Sequence, residues 1–94
     1  MNRTTDEDDT DLAALCKALG HPARVAIVRC LAEQGTCIFG DLSEQIPLAP
    51  STVSQHVTML KEAGLVLASA DEQRMCYCIN RDRMNLLKRL IKTL

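Results

Sequence analysis

Two prolines and a glycine punctuate residues 41–65, DLSEQIPLAPSTVSQHVTMLKEAGL, and leave this stretch few ways to fold. Leu42 and Ile46 stand about one helical turn apart, and Pro47 lacks the N–H that would carry a helix onward. A first short helix over residues 41–46 is therefore expected to stop there. Pro50 suits the first position of a second helix, because its missing N–H would have no partner there. Val53, Val57 and Leu60 then repeat at spacings of four and three, with His56 beside the stripe, and Gly64 is placed to end the helix. Two short helices across a tight connection make a helix-turn-helix.

The opposite face of the second helix carries Ser51, Thr52, Ser54, Gln55, Thr58 and Lys61. A merely solvated helix surface would ordinarily be rich in Glu and Lys. Short hydroxyl side chains instead allow close approach to a phosphate backbone, and a Gln amide offers paired donor and acceptor to an adenine edge. This face is expected to enter the major groove of duplex DNA.

Charge has to be consistent with that expectation. The formal net charge is −1, but Arg3 stands against Asp6, Glu7, Asp8, Asp9 and Asp11, which leaves residues 12–94 at +3. A mildly basic body permits DNA binding without supplying strong nonspecific attraction, so affinity would depend on groove fit and on two copies acting together. One Phe, one Tyr and no Trp give an aliphatic core and argue against a base-stacking platform for single strands.

No apolar run approaches a membrane span, and the acidic amino terminus differs from the basic, then apolar, start of a secretion signal. A cytoplasmic location is expected. Five cysteines, Cys16, Cys30, Cys37, Cys76 and Cys78, cannot all pair within one chain, and a reducing compartment would hold them as thiols.

Along the chain, residues 1–10 read as an acidic disordered tail and residues 11–94 as the folded domain. Leu12, Leu15, Cys16 and Leu19 form a helical stripe that Gly20 stops; Pro22 opens another helix, lined by Ile27, Val28 and Leu31 and ended by Gly35. Residues 36–39 suit a short strand leading into the helix-turn-helix. Residues 65–70 and 75–79 flank a polar tip and form a β-hairpin, after which Asn80 caps a last helix striped by Met84, Leu87, Leu90, Ile91 and Leu94. The fold class is mainly α with a small β-sheet: a winged helix-turn-helix with added N- and C-terminal helices. So small a core is not expected to cover both terminal stripes, so these helices are expected to form a dimer interface. A twofold pair would present recognition helices to half-sites about 34 Å apart.

Leu19-Gly20-His21-Pro22-Ala23-Arg24, with Ser51-Thr52-Val53-Ser54-Gln55-His56-Val57 and Lys61-Glu62-Ala63-Gly64-Leu65-Val66, resembles the ArsR/SmtB family of bacterial winged-helix repressors, over about residues 12–94. The resemblance implies a homodimer on an inverted-repeat operator, released by an inducer or by thiol modification. Arg74 matches the wing arginine that contacts DNA, although the wing tip, Asp71-Glu72-Gln73-Arg74, lacks the usual glycine. Two familiar sensing sites are missing. An arsenic-type thiol motif would need cysteines where Ile38, Gly40 and Ser43 stand, and a zinc-type site would need His and Glu that the last helix does not have after Asp82.

Cys76 and Cys78 are two apart on a strand and share one face, with Tyr77 and Ile79 on the other. The resemblance pairs that strand with the one holding Cys37, which would gather Cys37, Cys76 and Cys78 as thiolate ligands for a soft ion. Against this, the positions of Cys37 and Phe39 usually face the core, while Met75, Tyr77 and Ile79 read as the core face of their own strand; that parity puts Cys37 on the wrong side. Cys16 and Cys30 read as space-fillers, His56 as a half-buried helix residue rather than a ligand, and His21 as part of a helix junction.

The expected function is that of a homodimeric transcriptional repressor, not an enzyme. It would bind duplex DNA through Ser51, Thr52, Ser54, Gln55, Thr58, Lys61 and Arg74, and leave it when Cys37, Cys76 and Cys78 take up trivalent arsenic or antimony. No cofactor is expected to be needed for DNA binding. Another soft metal ion, or oxidation or persulfidation of a thiol pair, is the alternative trigger. No CxxC motif opens a helix, and no nucleophile stands with a base, so a thiol-redox enzyme is disfavoured. A winged-helix module that binds only protein would leave the polar face of the second helix idle.

Overall fold

The computed structural model describes residues 3–33, 37–39, 42–71 and 74–94. Among the described residues, four helices and three strands follow in the order α1 (Arg3–Leu19), α2 (Pro22–Glu33), β1 (Cys37–Phe39), a 3-10 turn (Leu42–Glu44), α3 (Pro50–Glu62), β2 (Val66–Asp71), β3 (Arg74–Ile79) and α4 (Arg81–Lys92). This is the winged helix-turn-helix, with α1 and α4 added at its two ends.

The first helix reaches back to Arg3, through acidic residues that composition assigns to a disordered tail ending at residue 10. Carboxylates near the start of a helix are favoured by its dipole, and Asp6 sits in the first turn. The Thr10 hydroxyl donates to the Asp6 carbonyl at 3.0 Å within the same stretch. Farther along, Leu15 and Ala18 are buried, and α1 packs on α2, α3 and α4.

The helix expected over residues 41–46 is shorter and tighter. Leu42–Glu44 form a single 3-10 turn, and the Leu42 carbonyl accepts from both Gln45 N (2.9 Å) and Ile46 N (3.0 Å). With Pro47 immediately after, no room remains for further turns. Leu42 and Ile46 are nonetheless both buried.

Helix α3 begins on Pro50, with no side-chain cap at Ala49. It ends in a Schellman motif: Leu65 N donates to Leu60 O at 3.0 Å, and Gly64 N to Lys61 O at 2.9 Å. Gly64 has φ 80°, a left-handed conformation that side chains resist. A Cβ there would also meet Arg83 Nε at 3.2 Å. Arg83 of α4 lies over this glycine and donates through Nη2 to Ala63 O at 3.4 Å, which ties the last helix to the exit of α3.

The sheet order is β1-β3-β2, with both neighbours antiparallel to β3. Asn80 caps α4 directly after β3, its Oδ1 accepting from Arg83 N. One aliphatic cluster joins all four helices, including Leu15, Ile27, Leu31, Val57, Leu60, Val66 and Leu87. Among the described residues no polar or charged side chain is buried in it.

The terminal helices meet within the chain. Leu15, Ala18, Leu87 and Leu90 are buried, whereas Ile91 and Leu94 remain exposed. Helices α1 and α4 are therefore in contact within the chain, and part of the apolar stripe at the end of α4 stays open.

Candidate functional site

Helix α3 divides lengthwise as its periodicity requires. Val53, Val57 and Leu60 are buried. Ser51, Ser54, Gln55, Thr58 and Lys61 are exposed, and Thr52 is half-buried at the edge of the same face. The Thr58 hydroxyl donates to Ser54 O at 2.9 Å, so its own proton is engaged while its oxygen stays able to accept. These six residues form one continuous polar ridge. Arg74 opens β3 opposite Asp71, and its side chain lies outside the described residues.

The cysteines gather on the sheet. The register sets Cys37 directly opposite Cys78, and Phe39 opposite Cys76. Directly opposed residues share a face, so Cys37 stands with Cys76 and Cys78. The parity that put Cys37 on the wrong side does not hold. Tyr77 and Ile79 pack against the core, and Val66, opposite Ile79, is buried in it; the cysteine face is the outer one. A three-residue strand has too few positions for its own pattern to reveal which face points inward.

The ligand atoms of Cys37, Cys76 and Cys78 all lie within 4.8 Å of one another, with Cys76 Sγ 3.6 Å from Cys78 Sγ. Cys76 is buried, and the other two are half-buried. Sulfurs bound to one ion through bonds of about 2.3 Å lie at most about 4.6 Å apart, so three thiolates here fit a soft ion after small adjustment. In this structure, however, Cys37 and Cys78 form a disulfide, with Cα atoms 4.3 Å apart. The expectation of five thiols is therefore corrected to three: Cys16, Cys30 and Cys76. Adjacent strands place their paired Cβ atoms within the span of a disulfide, which the spacing of cysteines in the chain does not reveal.

Beside the sulfurs, Cys37, Leu67, Cys78, Ile79, Asn80, Arg81 and Asp82 line an open cleft of about 230 Å³. Cys16 is exposed and fills no space within the chain. Cys30 does pack against the core; burial, and then the charge of Glu33, push its thiol up from the usual range.

A second contact joins parts of the chain that share no sequence signal. His21 and His56 lie with ring centroids 4.4 Å apart and planes at 44°. His21 Nδ1 accepts from Ala23 N at 3.0 Å, which makes it the junction residue expected ahead of α2. Because Nδ1 is an acceptor, the neutral ring carries its proton on Nε2, and neither nitrogen is a ready metal ligand. Burial, then His21 and Arg24, hold the His56 imidazole below its ordinary pKa.

Residues 21–67 match the family model described as bacterial regulatory protein, arsR family. The chain is 32% identical over 80 residues to the HTH-type transcriptional regulator YgaV of Escherichia coli (strain K12), covering 85% of this chain and 81% of that one. It is similar to the NMR structure of the cadmium metal-sensor CMTR from Mycobacterium tuberculosis, with a TM-score of 0.63 and 32% identity over 85% of this chain and 82% of that one. It is also similar to the transcriptional repressor BigR from Xylella fastidiosa, with a TM-score of 0.69 and 25% identity over 100% and 97% of the two chains.

Proposed function

The chain belongs to the arsR family of bacterial regulatory proteins, and from that footing we propose that it is a homodimeric repressor released from an inverted-repeat operator by a thiophilic inducer. The polar ridge of α3 supports the DNA half of this reading. Ser51, Thr52, Ser54, Thr58 and Lys61 reach phosphates or base edges, Gln55 reads an adenine, and Arg74 on the wing holds the backbone. The exposed Ile91 of α4 and Leu94 just beyond its end meet a second copy, which brings two α3 helices onto one side of the duplex.

The observation that carries the inducer half is the gathering of Cys37, Cys76 and Cys78 sulfurs within 4.8 Å. Three thiolates from two strands match the coordination preference of trivalent arsenic or antimony. An ion drawing on both β1 and β3 pulls on the strand that leads straight from the wing, and so shifts the wing relative to α3. A coupling of about 1–3 kcal/mol would weaken operator binding severalfold to about a hundredfold.

The test is an operator-binding titration with and without trivalent arsenic or antimony, on the reduced protein and on Cys76→Ser and Cys78→Ser variants. Release is expected from the parent chain and from neither variant. Release undiminished in both variants would place sensing elsewhere. A second reading, in which cadmium or another soft divalent ion is the inducer, is favoured by the likeness to the cadmium sensor, and the same titration with cadmium distinguishes it.

A further inference from the structure

The outer face of the sheet holds more than a set of ligands. Of the three gathered cysteines, Cys37 and Cys78 are spent on each other, and Cys76 alone keeps its thiol. A disulfide sulfur is no thiolate, so the bonded form lacks two of the three donors that an ion would need. The bonded pair and the three-sulfur site are alternative states of the same atoms.

Access to those atoms is uneven. Cys37 and Cys78 both line the 230 Å³ cleft, whereas Cys76 does not and is only 8% exposed. The cleft is also lined by the cap and first turn of α4, residues Asn80, Arg81 and Asp82. The positive end of a twelve-residue helix and the disulfide thus border the same cleft. Leu67, directly opposite Cys78 in the register and 53% exposed, gives the rim an apolar side.

We propose that this cleft is a docking site for a small thiol, which enters as its thiolate and reduces the Cys37–Cys78 bond, freeing two of the three sulfurs for an ion. The incoming thiolate bonds to one disulfide sulfur as the S–S bond breaks, and the electron pair leaves on the other sulfur, which takes a proton. A second thiol then attacks the mixed disulfide. The net change converts one protein disulfide and two small thiols into two protein thiols and one small disulfide, with two electrons passing to the protein. The dipole at the start of α4 favours the thiolate over the neutral thiol in the cleft, and burial shields Cys76 from the incoming thiol. The ion-binding consequence rests on the reading of the three sulfurs as the inducer site; the docking and exchange do not.

Thiol counting and reduction kinetics on the full chain test this, with glutathione as the reductant. Oxidised protein, unfolded before counting, is expected to show three thiols, and five after reduction. Leu67→Trp fills the cleft from an exposed position and is expected to slow reduction by glutathione severalfold, while the unfolded variant is reduced at the parent rate. Trivalent arsenic is expected to bind the five-thiol form and not the three-thiol form. Five thiols in the oxidised sample, or an unchanged rate in Leu67→Trp, would overturn the proposal, and arsenic bound equally tightly by both forms would overturn its ion-binding consequence. Protein that gains two thiols at the cleft-dependent rate, yet binds no ion even when reduced, would sink the inducer reading and leave the thiol site standing.

Discussion

Helix α3 and strand β3 are both divided lengthwise into a core side and an outer side, but their outer sides are completed in different ways. On α3 everything is supplied by one segment: once the helix forms over Val53, Val57 and Leu60, the ridge from Ser51 to Lys61 is in place. On β3 the outer side is incomplete by itself. Cys76 and Cys78 gain a third sulfur from Cys37, 41 positions before Cys78, and only because the register sets Cys37 opposite Cys78. A helix face is thus a local property, whereas a site on a sheet belongs to the pairing. The first should tolerate changes elsewhere, and the second should be sensitive to strand alignment.

The most forceful way to break this contrast is to remove the core that both sides share. Leu60 is fully buried beneath α3, and Leu60→Ala should lower stability by about 2–5 kcal/mol, read by urea denaturation. Operator and ion binding should then weaken together. A loss below about 1 kcal/mol would mean that α3 is not anchored through this side chain.

A finer cut separates the two sides. Gln55→Ala should weaken operator binding by about 1–3 kcal/mol, measured by fluorescence anisotropy at fixed salt, with ion affinity unchanged. Equal loss of both would show that the helix ridge and the sheet site are not independent.

A smaller effect is expected where β3 passes into α4. Asn80→Ala removes the acceptor for Arg83 N and should cost about 1 kcal/mol in thermal or urea unfolding. The variant should leave the operator preference set by α3 intact, and a changed preference would join the two regions that the comparison keeps apart.

The gentlest probe is pH. The His56 imidazole, half-buried against His21, is held below its ordinary value near 6.5, so the unfolded chain binds the proton more readily. Stability from this group is fully present above about pH 6.5 and declines as pH falls through the lowered folded value. His56→Gln should flatten that acid-side slope in unfolding curves. A slope of equal steepness in the variant would assign the pH response to other groups.

How much could be read beforehand follows the same division. The stop at Pro47, the start at Pro50, the glycine exit at Gly64 and the Asn80 cap were legible because each acts on its nearest neighbours. The acidic residues ahead of Asp11 read as a solvated tail by composition, whereas α1 extends through them to Arg3, with Asp6 in the first turn where the dipole favours a carboxylate. The brevity of the turn at Leu42–Glu44 was obscured because its two apolar residues fit one helical turn as well as a longer helix. The face of Cys37 could not be settled from three residues, and nothing in the chain announced that His21 would meet His56.

Sequence alone determined the helix-turn-helix and the polar ridge of α3, because proline, glycine and a repeat near 3.6 residues act within a few positions of themselves. Tertiary structure decided that Cys37 meets Cys76 and Cys78 on the outer face, that two of these sulfurs are bonded, and that the start of α4 overlooks them. Those facts depend on strand register and on helix placement, which are settled when distant segments bury their apolar sides together.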